Sequence, residues 1–255
     1  MPPHRSDPFA GAGTAPGTAP GTAPGTAPGT AMLHPARQQL LWDWLAARSL
    51  ARGLPAPVPD HGGMRVDTGT AQEIRRHVFA LPVDGLRALA AAIRRPGIPL
   101  KLCAATDALL ALAPPGWTAQ AQGWLMTHAG PFPAGPALPP GYRLALSVHG
   151  GVAGARILAD DGTPAASGHA AAHGGAFVFD RIVTAPAHRR RGLASALMGA
   201  LGATRGPAAA HGVLVATSEG RALYEALGWT VLSPYATIVF ADPDVSANRE
   251  PVPKR

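Results

Sequence analysis

The chain has 255 residues, enough for one large or two small domains, and its net charge of +7 suits an anionic ligand, whether a coenzyme, nucleic acid or an acidic protein. A single cysteine, Cys103, excludes an internal disulfide and, set in an apolar stretch, reads as a buried structural thiol in a reducing compartment. No uncharged apolar run reaches the roughly 18 residues of a membrane helix and no signal-peptide core opens the chain, so a cytoplasmic protein away from membranes is expected.

Residues 13–31 repeat Gly-Thr-Ala-Pro, a pattern that cannot bury a face, and residues 1–31 are expected to form a disordered tail. An amphipathic helix is expected over 36–52, carrying Leu40, Leu41, Trp44, Leu45 and Leu50 and ending near Gly53 and Pro55. Met64–Thr68 reads as a strand, Asp84 as the cap of a helix through Arg95, and Ile98–Cys103 as a strand whose proline fits most easily at an edge. A short helix over Thr106–Leu112 and a strand over Trp117–Thr127 complete an alternating α/β segment, residues 32–130. Pro131, Pro133, Pro136, Pro139 and Pro140 mark a linker over 131–141.

Four strands are expected next, at Tyr142–Val148, Ala155–Ala159, Ala165–Ala172 and Ala176–Thr184, with a hairpin turn at Asp160-Asp161-Gly162. A helix over Leu193–Thr204, a strand at Val213–Val215, a helix stopped by Gly228 and a last strand over Thr230–Phe240 follow, with a polar tail over 242–255. His169 and His173 lack a third ligand and sit among glycines that oppose a helix, so no metal is expected. No nucleophile elbow, P-loop or dinucleotide fingerprint occurs, and nothing beyond positive charge points to nucleic acid.

Two motifs carry chemistry. In the first, the strand ending at Thr184 enters a helix at Leu193 through the basic turn His188-Arg189-Arg190-Arg191-Gly192. The first N–H groups of a helix lack intrahelical acceptors and its dipole is positive there, so a phosphate can be held by main chain while Gly192 lets it approach. The second is Leu223-Tyr224-Glu225-Ala226-Leu227-Gly228-Trp229, closing a helix capped by Thr217 or Ser218.

The pattern Arg189-x-x-Gly192-x-Ala194, followed downstream by Leu223–Trp229, resembles the GCN5-related N-acetyltransferase (GNAT) superfamily over residues 142–241. The resemblance implies an α+β mixed sheet with the acyl-CoA N-acyltransferase fold in the C-terminal half, the 32–130 segment being a degenerate half of the same kind or a companion subdomain. It implies acetyl-CoA as cosubstrate, its pyrophosphate on Arg189, Arg190, Arg191, Gly192, Leu193 and Ala194, its pantetheine arm along Ile182, Val183 and Thr184, and Thr217 and Ser218 nearby. Thr217 stands where the family commonly has Asn.

The resemblance also implies direct transfer of acetyl to a primary amine of a small molecule or protein, by a monomer or homodimer. Asp180 matches the family's base. By strand alternation it shares a face with Val178, Ile182 and Thr184, where apolar neighbours are expected to raise its pKa; an ion pair with an arginine is the other reading. Tyr224 matches the donor to the leaving thiolate. The two helices that normally wall the acceptor site have no room between Val148 and Ala155. A non-catalytic acyl-CoA-binding or regulatory module therefore stands as the alternative function.

Overall fold

The computed structural model describes residues 35–207, 209 and 211–241, and the tails expected at either end lie outside them. The N-terminal segment runs α1 (Pro35–Ala51), β1 (Val58–Asp60), β2 (Gly63–Asp67), β3 (Arg75–Phe79), α2 (Asp84–Ala92), β4 (Leu100–Leu102), α3 (Thr106–Leu110), β5 (Trp117–Ala119) and β6 (Gly123–Ala129). The C-terminal half runs β7 (Tyr142–His149), β8 (Val152–Ala159), β9 (Pro164–His173), β10 (Ala176–Thr184), α4 (Leu193–Gly202), β11 (His211–Ala216), α5 (Ser218–Ala226) and β12 (Thr230–Phe240). All twelve strands join in one mixed sheet, ordered β1-β2-β3-β4-β12-β6-β11-β10-β9-β8-β7, with β5 also on β12.

Each half contains one parallel pair bridged by a helix: β3 and β4 around α2, β10 and β11 around α4. The halves also exchange strands. β6 lies between β11 and β12, while the far end of β12 pairs with β4 and β5, so the break near residue 130 in the sequence does not separate two sheets. The 131–141 segment is likewise packed rather than free: a Cβ added to Gly199 of α4 would lie 2.2 Å from the Gly135 nitrogen.

Several N-terminal expectations are corrected. β4 is an interior strand, not an edge; Pro99 is tolerated because it precedes the strand and offers only its carbonyl, which accepts from His77 N at 3.1 Å. Asp84 is the first helical residue, with Val83 at the cap position and no side-chain cap bond, and α2 stops at Ala92 because Ile93 is extended. Trp117–Thr127 splits into β5 and β6. β3 escapes the sequence reading because its first residues, Arg75-Arg76-His77, are polar although Arg76 and His77 are buried.

One apolar cluster packs α4 and Trp229 against Phe177 and Phe179, and another packs α2 and α3 against β4 and β12. The opposite face of the sheet is covered by α1, which sets Leu41, Trp44 and Leu45 against Val178, Val213 and Tyr235. Leu50, expected on the apolar face, is instead 41% exposed. Asp43 fastens α1 to the β9–β10 hairpin, accepting from Gly175 N at 2.9 Å.

Candidate active site

β10 and β11 pair only from Ala176–His211 to Val178–Val213, then separate toward their C-terminal ends. β10 bulges there: its pairing with β9 jumps from Asp180–His169 to Val183–Ser167, and Arg181 takes φ 53. The bulge corrects the expected alternation. Ile182 packs against the cluster holding Phe177 and Phe179, on the α4 side, while Asp180 turns to the α1 side. A cleft opens between the two diverging strands.

Its larger part is a cavity of about 690 Å³ that gathers nine of the eleven residues expected to touch the coenzyme: Ile182, Val183, Thr184, Arg189, Arg190, Gly192, Leu193, Ala194 and Thr217. Arg190 (φ 64) and Gly192 (φ 73) are both left-handed, which curls the turn around the start of α4. A Cβ added to Gly192 would meet only Pro136 Cγ at 3.8 Å, so its dihedral rather than space demands glycine. The N–H groups of Leu193, Ala194 and Ser195 precede the first intrahelical donor, Ala196 N, which bonds Gly192 O at 3.0 Å, and no side chain caps them. Among the described residues no carboxylate lies within 4.0 Å of Arg189, Arg190 or Arg191. This geometry fits a pyrophosphate.

The other two expected residues lie elsewhere. Arg191 Nη1 donates to the Tyr142 hydroxyl at 2.8 Å, and that hydroxyl also bonds His188 Nδ1 at 2.9 Å, tying the turn to β7. Ser218 lines a separate cavity, described below. His188, Ser195, Glu219, Gly220 and Leu223 also line the 690 Å³ cavity, beyond the residues that the motif implies.

A second cavity, of about 370 Å³, shares Ile182, Thr184, Ala194 and Thr217 with the first and adds Asp180 and Tyr224. Thr217 caps α5, its hydroxyl accepting from Gly220 N at 3.1 Å. At the other end Trp229 N donates to Tyr224 O and Gly228 N to Glu225 O, both at 3.0 Å, a Schellman stop with Gly228 left-handed. α5 is therefore fixed at both ends around Tyr224. The Tyr224 ring stands edge-on to Trp229, its hydroxyl has no hydrogen-bond partner among the described residues, and burial pushes its pKa up, so it keeps its proton at neutral pH.

Asp180 is buried beneath α1. Arg52 donates Nε to Oδ2 at 2.6 Å and Nη2 to Oδ1 at 2.8 Å, and Arg48 Nε approaches Oδ1 at 3.4 Å. The expected rise in its pKa is not found. Burial pulls upward, but the Arg52 hydrogen bonds and the charges of Arg48, Arg52 and Arg181 outweigh it and hold the carboxyl below the usual range. The wall missing from the sequence pattern is supplied by α1, whose Trp44 and Arg48 line this cavity with Arg52 from the turn beyond it. The two arginines were legible only as an i, i+4 pair on an amphipathic helix.

Other candidates settle as follows. Burial pushes the Cys103 thiol up to about 12, which makes it a poor nucleophile. His169 and His173 lie on β9, about 13 Å apart along an extended strand. The described residues hold no group of three or more metal-ligating side chains, and none of their helices is long and apolar enough to cross a membrane.

These features define an acyl-CoA N-acyltransferase fold, and known proteins share it. Residues 151–231 match the family model described as an acetyltransferase (GNAT) domain. A GCN5-related N-acetyltransferase from Kribbella flavida superposes with a TM-score of 0.57 at 15% identity, over 83% of this chain and 97% of that one. A GNAT-family protein from Novosphingobium aromaticivorans gives 0.53 at 19% identity, over 82% and 99%. No curated protein sequence matches the chain. The C-terminal half thus has the fold of GNAT acetyltransferases, with residues 151–231 similar to their domain, and is preceded by an α/β segment that shares its sheet.

Proposed function

We propose that this protein is an acetyl-CoA-dependent N-acetyltransferase that transfers acetyl directly to a primary amine. The observation that carries the reading is the continuity of the anion cradle at Arg189–Ala194 with a walled cavity presenting a protonated, unpartnered Tyr224. A module that only bound the coenzyme would have no use for the second cavity.

In this reading the pyrophosphate rests on the turn and the first N–H groups of α4. The pantetheine arm lies along Ile182–Thr184, where the bulge and the splay leave backbone groups to pair with it, as a sheet edge pairs with a peptide. The amine, once deprotonated, attacks the thioester carbonyl carbon; the C–N bond forms, the C–S bond breaks, and Tyr224 protonates the departing sulfur and regains a proton from the amine through solvent. Alignment of amine and thioester provides much of the acceleration.

Asp180 serves best as the anchor of Arg48 and Arg52, because arginine occupies both of its oxygens and a depressed pKa makes a weak base. The acceptor then reacts through its neutral fraction, which is small for a lysine-type amine with a pKa near about 10.4.

The test is thiol release from acetyl-CoA against a panel of amines, with acetyl-CoA binding measured by calorimetry. Tyr224→Phe should bind acetyl-CoA as wild type does and lose about 10²-fold or more in kcat. Binding without thiol release from any amine would turn the assignment to the non-catalytic acyl-CoA-binding module.

A further inference from the structure

A third cavity, of about 470 Å³, lies where the two halves exchange strands and adjoins the Tyr224 cavity, with which it shares Trp44, Arg48, Val215, Ala216 and Thr217. Its two cationic side chains, Lys101 and Arg48, come from the N-terminal segment, and Glu219 of α5 is the carboxylate on its wall. Lys101 on β4 stands opposite Thr237 on β12, and its Nζ donates to Thr237 Oγ1 at 3.1 Å. No carboxylate of the described residues comes within 4.0 Å of that ammonium. Tyr235, two residues before Thr237 and on the same face, is 5% exposed with its hydroxyl buried and unpartnered. Arg48 reaches a carboxylate only through Nε, 3.4 Å from Asp180, whose closer contacts belong to Arg52.

The charges do not balance. Lys101, Arg48, Arg52 and Arg76 face one another beneath α1 against Asp180, Glu73 and the wall residue Glu219, which leaves one positive charge in excess. Burial, reinforced by the neighbouring arginines, accordingly pulls Lys101 down to about 8 and Arg48 to about 10. Holding unpaired charge out of water is costly, and an apolar side chain in place of Lys101 would fill the same space without that cost. A neutral acceptor gives this arrangement no purpose. An anionic one does, since its carboxylate would take donors from the ammonium, the guanidinium and the orphaned phenol together.

We propose that the acceptor is a small amino acid, whose amine enters the Tyr224 cavity while its carboxylate is held by Lys101, Arg48 and the Tyr235 hydroxyl. This rests on the acetyltransferase reading and adds the substrate class to it. It also gives the N-terminal segment a task, because α1, β4 and the β12 strand end that pairs with β4 build the anion clamp, while the GNAT domain builds the donor site.

The experiment is thiol release from acetyl-CoA with a series of amino acids of increasing amine-to-carboxylate spacing, each paired with its methyl ester, together with plain alkylamines and phosphoethanolamine. At least one acid should exceed its ester by about tenfold or more in kcat/KM, chiefly through KM. Lys101→Met should lower kcat/KM for that acid on the order of 10- to 100-fold and bring the acid-to-ester ratio toward one, with Tyr235→Phe lowering the same ratio several-fold. Calorimetric titration with acetyl-CoA reports whether each variant keeps its donor site.

Esters or alkylamines turned over as well as the acids would overturn the inference and leave the acetyltransferase reading standing. So would a preference for phosphoethanolamine over every amino acid. If acetyl-CoA binds and no amine of the panel releases thiol, the acetyltransferase reading falls and the inference with it.

Discussion

Replacing Lys101 with methionine removes a buried charge while keeping an unbranched side chain of similar length, so the same change that weakens acceptor binding should stabilise the fold. The depression of Lys101 from 10.5 to about 8 corresponds, at about 1.4 kcal/mol per pH unit, to about 3 kcal/mol of cost for keeping it charged. Loss of the hydrogen bond to Thr237 gives back about 1 kcal/mol, leaving a net gain of about 2 kcal/mol at pH 7. For a body of this size that is a rise of about 4–8 °C in Tm, measured by circular dichroism. The sign with pH is set by the unfolded chain holding the Lys101 proton more tightly. The cost is fully present below about pH 8 and is relieved as pH rises toward 10.5, so the gap between variant and wild type should close over that interval. A variant less stable than wild type at pH 7, or a gap that does not change with pH, would refute the reasoning.

Asp180→Asn leaves Arg48 and Arg52 without their partner and should cost about 3–5 kcal/mol in denaturant unfolding. Because the Asp180 carboxyl is held low in the folded protein, its stabilisation is present above the unfolded pKa of about 3.9 and is lost as pH falls through the folded value. If Asp180 is an anchor, kcat/KM should climb with unit slope toward the acceptor's own pKa; a plateau beginning well below neutrality would restore it as the base. Gly192→Val forces a β-branched residue into a left-handed dihedral at the cradle and should weaken acetyl-CoA binding about tenfold or more by calorimetry; unchanged binding would remove the pyrophosphate assignment. Gly199→Val drives a side chain into the backbone at Gly135 and should cost about 1–3 kcal/mol or more, since neither partner can rotate away.

In the C-terminal half the elements are legible in the sequence almost one for one. Strands from Tyr142 to Thr184 alternate or run apolar between turn residues, Thr217 and Gly228 punctuate α5, and the Gly192 turn stands between a strand and a helix. These signals are local, so the cavity at the start of α4, built largely from adjacent stretches of chain, was legible with them. The N-terminal half was read less well because its strands are short and its buried positions include Arg76, His77 and Lys101, which carry no apolar period. Even in the readable half, alternation failed at Asp180, where a bulge reset the register and sent Ile182 to the other face.

The sequence by itself determined most of the C-terminal half of the protein: its strands and helices from Tyr142 to Phe240, the turn before α4 and the tyrosine on α5. Only the tertiary structure decided how the N-terminal segment meets it. Arg52 is 128 residues from Asp180, and Lys101 is 136 from Thr237, contacts made when α1 crosses β10 and when β12 enters the N-terminal strands. The physical reason is that a helix cap or turn is specified by neighbours along the chain, whereas a buried charge acquires its meaning from partners that folding brings to it.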